Sequence, residues 1–213
     1  MKTTENKAIK TEESKAMKTT ENKVIKTEES KVINKSKNKA INISESKAIK
    51  TNIDNFVIRF AEPKDTGLLL DFIKLLAEYE KRLEQVIATE EDLCEVFFER
   101  KIAEAIIGEY LGKPVSFAVF LYNFSTFTGK PNIYIEDMFV DPKMRGKGIG
   151  SIMFSFIAKL ALDRKCGRLE WTVLKWNEPS IKFYKSLGSK PKDEWDIYKL
   201  EGTALKNLAD RFK

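Results

Sequence analysis

The first fifty residues repeat every eight positions, and that period takes about a quarter of the chain out of any folded core. The units read KTTENKAI, KTEESKAM, KTTENKVI and KTEESKVI, then the looser NKSKNKAI and NISESKAI. Eight residues advance a helix by about 800°, so the Ala-Ile or Val-Ile pair drifts by about 80° per repeat and never builds one apolar stripe. With two apolar positions in eight and no aromatic residue, the stretch cannot offset the entropy of ordering it. Residues 1–52 are therefore expected to be a disordered low-complexity tail, and residues 53–213 the folded domain. The tail holds thirteen Lys and seven Glu, hence the whole formal excess of +6, while the remainder carries 25 basic and 25 acidic residues. The basic character belongs to the tail, where Glu residues break up the positive runs. A nucleic-acid partner is not expected, save weakly through that tail. The tail contains acids and no Arg, unlike a mitochondrial presequence.

Histidine is absent from the chain. That removes every Ser-His or Cys-His nucleophile pair and every His-containing metal site, so no metal is expected and proton transfer falls to Glu, Asp, Lys, Tyr, Cys or water. Cys94 and Cys166 lie in or beside apolar segments and read as structural thiols of a reducing compartment. No signal peptide precedes them, and the apolar run 117–122 is far below the roughly 18 residues of a membrane helix. A cytoplasmic protein that does not enter the membrane is expected.

From residue 56 the pattern is that of a folded domain. Residues 56–60 alternate as a strand, and Asp65 or Thr66 can cap a helix carrying Leu69, Phe72, Ile73, Leu76 and Ala77. Thr89-Glu90-Glu91-Asp92 opens a second helix to residue 98. Residues 103–111 and 114–124 flank Gly112-Lys113 as a hairpin, and 133–140 is another strand. A third helix begins inside a glycine cluster and carries Ile149, Ile152, Met153, Phe156, Leu160 and Ala161. A strand over 168–175, a helix over 178–187, a last strand over 195–200 and a short helical end complete the order βααβββαβαβ. This is an α/β (α+β) domain: a mixed six- to seven-stranded sheet with helices on both faces.

Arg145-Gly146-Lys147-Gly148-Ile149-Gly150-Ser151 stands between a strand and a helix. Glycines admit close backbone approach, and a helix N-terminus offers unpaired N–H groups and a positive dipole end, which together suit a pyrophosphate. Taken alone, the pattern also fits a structural loop-to-helix turn. It is neither a Walker loop, lacking Gly-Lys-Ser/Thr, nor the first turn of a dinucleotide fold, since four strands precede it.

The strand Ile133-Tyr134-Ile135-Glu136-Asp137-Met138-Phe139-Val140, the loop 145–151, and Trp176-Asn177-Glu178-Pro179-Ser180-Ile181-Lys182-Phe183-Tyr184-Lys185-Ser186-Leu187-Gly188 together resemble the GNAT N-acetyltransferases. More narrowly they resemble the diamine (spermidine/spermine) and thialysine branch, over residues 56–208. The resemblance implies a GNAT fold and an acetyl-CoA co-substrate held between strands 133–140 and 168–175. Met138, Phe139 and Val140 would pair with pantetheine through the main chain. Arg145, Gly146, Lys147, Gly148, Ile149, Gly150 and Ser151 would hold the pyrophosphate, with Asn177, Ser180 and Tyr184 touching the cofactor.

Tyr184 matches the family's general acid, and its spacing from Asn177 and Ser180 sets all three on nearly one helical face. Glu136 matches the proton acceptor, through water, with Asp137 helping to attract the cation. Neighbours on an ideal strand point to opposite faces, so both can serve one substrate only across a bulge. By the same match Tyr79, Glu80, Glu170, Trp171, Thr172 and Glu194 are substrate-facing. The resemblance thus implies acetyl transfer to a primary amine of a small polyamine-like or lysine/thialysine-like substrate, by direct attack in a ternary complex, in a homodimer. A protein N-terminal or lysine acetyltransferase and a non-catalytic CoA-binding module are the alternatives. The tail is expected to be dispensable for turnover.

Overall fold

The computed structural model describes residues 48–212. The disordered-tail expectation thus falls, over residues 1–47, outside the described residues. Residues 48–52, which the repeat pattern assigned to the tail, are part of the fold: β1 (Ile49–Lys50) pairs antiparallel with β2 (Phe56–Phe60), Ile49 opposite Ile58. The turn between them is held by Thr51, whose Oγ1 accepts from Ile53 N (3.1 Å) and donates to the Phe56 carbonyl (2.8 Å).

After β2 comes a short 3-10 turn and α1 (Thr66–Tyr79). Asp65 occupies the N-cap position, yet its side chain does not cap α1. It is buried, takes a bidentate bond from Arg59 (2.6 and 2.9 Å) and accepts from Glu62 N (2.8 Å). Burial alone would raise this carboxyl; the Arg59 guanidinium and the Glu62 N–H outweigh it and hold it below the usual range. Thr89 and Asp92 form the expected reciprocal cap of α2 (Glu90–Cys94), which widens into a π turn over Glu95–Glu99. Strands β3 (Glu104–Tyr110) and β4 (Lys113–Ser125) meet at a two-residue turn, Leu111-Gly112, where both φ values are positive (51° and 72°). A hairpin of this length favours that hand of turn.

β5 (Lys130–Val140), α3 (Ile149–Asp163), β6 (Leu169–Trp171), α4 (Glu178–Ser186) and α5 (Gly202–Ala209) complete the order. The sheet runs β1-β2-β3-β4-β5-β6, antiparallel except for the parallel β5–β6 pair. Its central strands are buried on both faces. Leu69 and Phe72 of α1 cover one face, with the Phe72 and Phe117 rings stacked 5.2 Å apart, and α3 covers the other with Met153, Ile157 and Leu160 fully buried. Cys94 and Cys166 are free, the latter buried.

Two expectations are corrected. The strand over 168–175 is three residues long, and among the described residues 195–200 form no strand. The segment 190–212 is exposed throughout, so it has no neighbour on which to build a ladder. No helix among the described residues is long and apolar enough to cross a membrane.

Candidate active site

β5 has one edge paired along its whole length and another that is mostly open. Toward β4 the register runs from Ser116↔Val140 to Ser125↔Lys130. Toward β6 it ends at Ile135↔Trp171. Beyond that point the edge of residues 136–140 faces a cleft of about 560 Å³, floored by the glycine loop and walled by α1, α3 and α4. The backbone groups of Met138, Phe139 and Val140 on this edge have no strand partner, the arrangement that a linear amide-bearing ligand can complete.

The loop enters α3 through Gly146 and Gly148, both left-handed (φ 75° and 80°). Gly148 is the N-cap and α3 has no side-chain cap, so first-turn N–H groups are unspent. Ile53 lies against this loop, its Cδ1 3.7 Å from where a Cβ on Gly148 would stand. Arg145 turns inward: Nε donates to the Val140 carbonyl (3.0 Å), and the guanidinium lies 4.8 Å above the Tyr79 ring. Tyr79 donates its hydroxyl to Asn177 Oδ1 (3.0 Å), and the same oxygen accepts from Ser180 N (3.3 Å) as the α4 cap. One side chain at the end of α1 is thereby tied to the N-terminus of α4.

Glu136 and Asp137 both line the cleft, and a bulge is the reason. Val119 faces Asp137 and Phe120 faces Ile135, which leaves Glu136 as the extra residue. Glu136 is exposed, whereas Asp137 is half-buried with its carboxyl pushed up to about 6, first by burial and then by the negative charges of Glu136 and Glu80. Tyr184 sits in an aromatic cluster, its ring 5.2 Å from Trp171 and 5.6 Å from both Phe154 and Phe183. Burial raises its phenol above the ordinary value, against a side-chain hydrogen bond with Ser180 that lowers it. The phenol is therefore protonated at neutral pH and able to donate.

Of the residues expected at the site, the cleft gathers Tyr79, Glu80, Glu136, Asp137, Met138, Phe139, Val140, Arg145, Gly146, Gly148, Ile149, Gly150, Ser151, Trp171, Thr172, Asn177, Ser180 and Tyr184. Three stand elsewhere. Lys147 lies over the Tyr110 ring with its ammonium at Met144 Sδ. Glu170 is turned to Arg168 (2.9 Å), Lys192 (3.4 Å) and Asn123 (3.0 Å), because neighbours on β6 alternate faces and Trp171 takes the cleft side. Glu194 lies in the exposed segment after α4. Phe154, which the helical spacing read over 149–161 passes over, also lines the cleft; it stands four residues after Gly150 on one helical face, which is the signal that could have found it. No group of three or more Cys, Asp or Glu able to hold a metal occurs among the described residues.

Residues 70–188 match the model of the acetyltransferase (GNAT) family. The thialysine N-epsilon-acetyltransferase of Bos taurus is 36% identical over 167 residues, covering 73% of this chain and 98% of that protein. A spermidine/spermine N(1)-acetyltransferase-like protein of Homo sapiens is 30% identical over 171 residues, covering 75% of this chain and 24% of that longer protein. Among solved structures, an integron cassette protein from the mobile metagenome of V. cholerae superposes with a TM-score of 0.62 at 30% identity, over 73% of this chain and 98% of that one.

Proposed function

This chain belongs to the acetyltransferase (GNAT) family and is an N-acetyltransferase, and from that premise we propose that it moves acetyl from acetyl-CoA to the terminal amine of a small lysine-like or polyamine-like substrate, with both substrates bound together. The observation that carries this reading is the open edge of β5, with carboxylates at its start and the Tyr184 phenol across the same cleft.

The residues present fit acetyl-CoA. The open main chain of 138–140 would hold the pantetheine arm, and the glycine loop at the start of α3 the pyrophosphate, where space is free around Gly146. Asn177 and Ser180 would flank it. Bound acetyl-CoA supplies an activated thioester; the rest is the work of the chain.

An alkylamine near pKa 10 enters as ammonium and must lose a proton. Glu80, Glu136 and Asp137 attract that cation, and Asp137, ionising near 6, accepts the proton directly or by way of Glu136 and water. Main-chain N–H groups of the open edge polarise the carbonyl, and Tyr184 protonates the departing thiolate. The thialysine relatives favour a lysine-like amine over a polyamine. Thiol release should be highest with thialysine or lysine, lower with spermidine and lowest with peptides. Turnover of peptide N-termini alone would overturn the small-amine reading.

A homodimer belongs to the same proposal. Trp195, Ile197, Tyr198 and Phe212 are 67%, 80%, 92% and 93% exposed in the single chain. A second copy would cover this apolar segment and give 195–200 the neighbour a strand requires. Sedimentation should find a dimer; a monomer at micromolar concentration would overturn this.

A further inference from the structure

Resting on the acetyl-transfer reading, we infer that Tyr79 is a positioning residue. Through Asn177 it fixes the helix that carries Tyr184, so that the general acid stands in a set place relative to the carboxylates that draw in the amine. This differs from the substrate contact that the family resemblance implies for Tyr79. Tyr79 is the last residue of α1, whose Leu69, Leu70 and Phe72 are buried in the core, and the next residue, Glu80, faces the cleft. The end of α1 is thus anchored by close packing.

The phenol hydrogen of Tyr79 is spent on Asn177 Oδ1 (3.0 Å), on a residue only 6% exposed. The ring is held in place for that bond. The Arg145 guanidinium lies 4.8 Å from its centroid, anchored in turn on the Val140 carbonyl (3.0 Å), and Trp176, next to Asn177, lies 5.9 Å away. The bond is made to the atom that caps α4, since the same Asn177 oxygen accepts from Ser180 N (3.3 Å).

α4 depends on such outside support. It has nine residues, none of them buried, and a helix this short draws its stability from contacts rather than from its own turns. Its other contacts are rings: Phe183 Cζ stands 3.4 Å from where a Cβ on Gly150 would be, and Tyr184 lies 5.6 Å from Phe154 and 5.2 Å from Trp171. Ring pairs are satisfied over centroid separations of about 4.5–7 Å, a hydrogen bond over about half an ångström, so the Tyr79 bond sets the helix more sharply. Asn177 and Tyr184 are seven residues apart, about 10 Å along one face, and a shift at the cap is carried to the phenol. Behind burial, which dominates, Glu80 and then Tyr79 push the Tyr184 phenol up, which puts the end of α1 within electrostatic reach of it.

The test is a double-mutant cycle of Tyr79→Phe and Tyr184→Phe in the full-length protein, with steady-state kinetics on thialysine and acetyl-CoA and hydrogen exchange of the peptide 177–186. Tyr79→Phe keeps the ring. It should lower kcat about tenfold, with KM for thialysine within about twofold and the melting temperature within about 4 °C. In the Tyr184→Phe background the same substitution should change kcat by less than about twofold, because no acid is left to misplace. Exchange in 177–186 should quicken about threefold or more. A tenfold loss in both backgrounds means that Tyr79 acts on the amine or the thioester directly, and overturns the inference. So does an unchanged kcat, with or without the higher KM for thialysine that marks a substrate contact. A Tyr184→Phe enzyme with full kcat refutes the acid and the inference together. If the wild-type protein acetylates no amine, the transfer reading falls and exchange alone decides: quickened exchange in Tyr79→Phe upholds Tyr79 as the residue that fixes α4, and unchanged exchange removes it.

Discussion

The two edges of β5 are built from one run of residues and end in opposite states. Along β4 the ladder continues to Val140, and Ile133, Ile135 and Phe139 are sealed in the core. Along β6 it stops at Ile135, and the next five residues turn their free edge to the cleft. The closed edge anchors the strand in the core on both sides of the bulge, while the open one leaves amide groups and two carboxylates available to ligands. Stability and chemistry are divided along the width of a single strand. Tyr184→Phe tests that division most severely, because it removes one oxygen on the open side and leaves the ring cluster in place. Turnover should fall about 100-fold or more, the scale of a lost general acid. Acetyl-CoA affinity by calorimetry should stay within about twofold. Equal losses in both would make Tyr184 a binding residue.

Asp137 sharpens the comparison next, since it belongs to both edges: paired opposite Val119 through the main chain and facing the cleft through the side chain. Its carboxyl must be ionised to accept a proton, so activity should rise with pH through about 6. Asp137→Asn should lower kcat/KM by about 10- to 100-fold and abolish that acidic limb; Glu136→Gln should keep the limb. The stability effect has the opposite sign. Burial holds this carboxyl above its ordinary range, at about 6, so the native state binds the extra proton and loses stability as pH rises from about 4 to 6. At pH 7 the ionised group is a net cost, and Asp137→Asn should melt higher. A variant that loses activity and also melts lower would mean that the bulge, not the carboxylate, had been damaged.

The open edge was legible in part. Glycines between a strand and an amphipathic helix declare a ligand-facing turn, and the alternation in 56–60 and the apolar run within 114–124 declare buried strands, because these patterns are local. The bulge was not, since Glu136-Asp137 reads identically on a regular strand; only the pairing with Val119 and Phe120 reveals the extra residue. The length of β6 was hidden for the same reason. Residues 168–175 have strand character throughout, and what ends the ladder is the departure of the neighbour. Residues 195–200 fail on the same count, being strand-like residues with nothing beside them. β1 was concealed differently: its Ala48-Ile49 pair recurs in the repeats, and nothing local distinguishes the copy that meets a sheet.

That last feature gives the smallest and most discriminating effect. A chain begun at Ala48 retains Ile49 against Ile58 and the Thr51 hydrogen bonds, whereas one begun at Ile53 loses both and leaves Ile53 to hold the glycine loop unaided. The partial burial of one Ile and two side-chain hydrogen bonds are worth about 1–2 kcal/mol together. The shorter chain should therefore melt roughly 2–8 °C lower. Its kcat should match that of the longer chain, because neither Tyr184 nor Asp137 is touched. Its KM for acetyl-CoA should rise about two- to threefold, since Ile53 lies beside Gly148 in the glycine loop. Thr51→Ala in the full chain should move KM in the same direction by less. If the two truncations melt together and bind acetyl-CoA equally, the β1 turn is a passive end of the sheet, and the open edge of β5 is supported from within the domain alone.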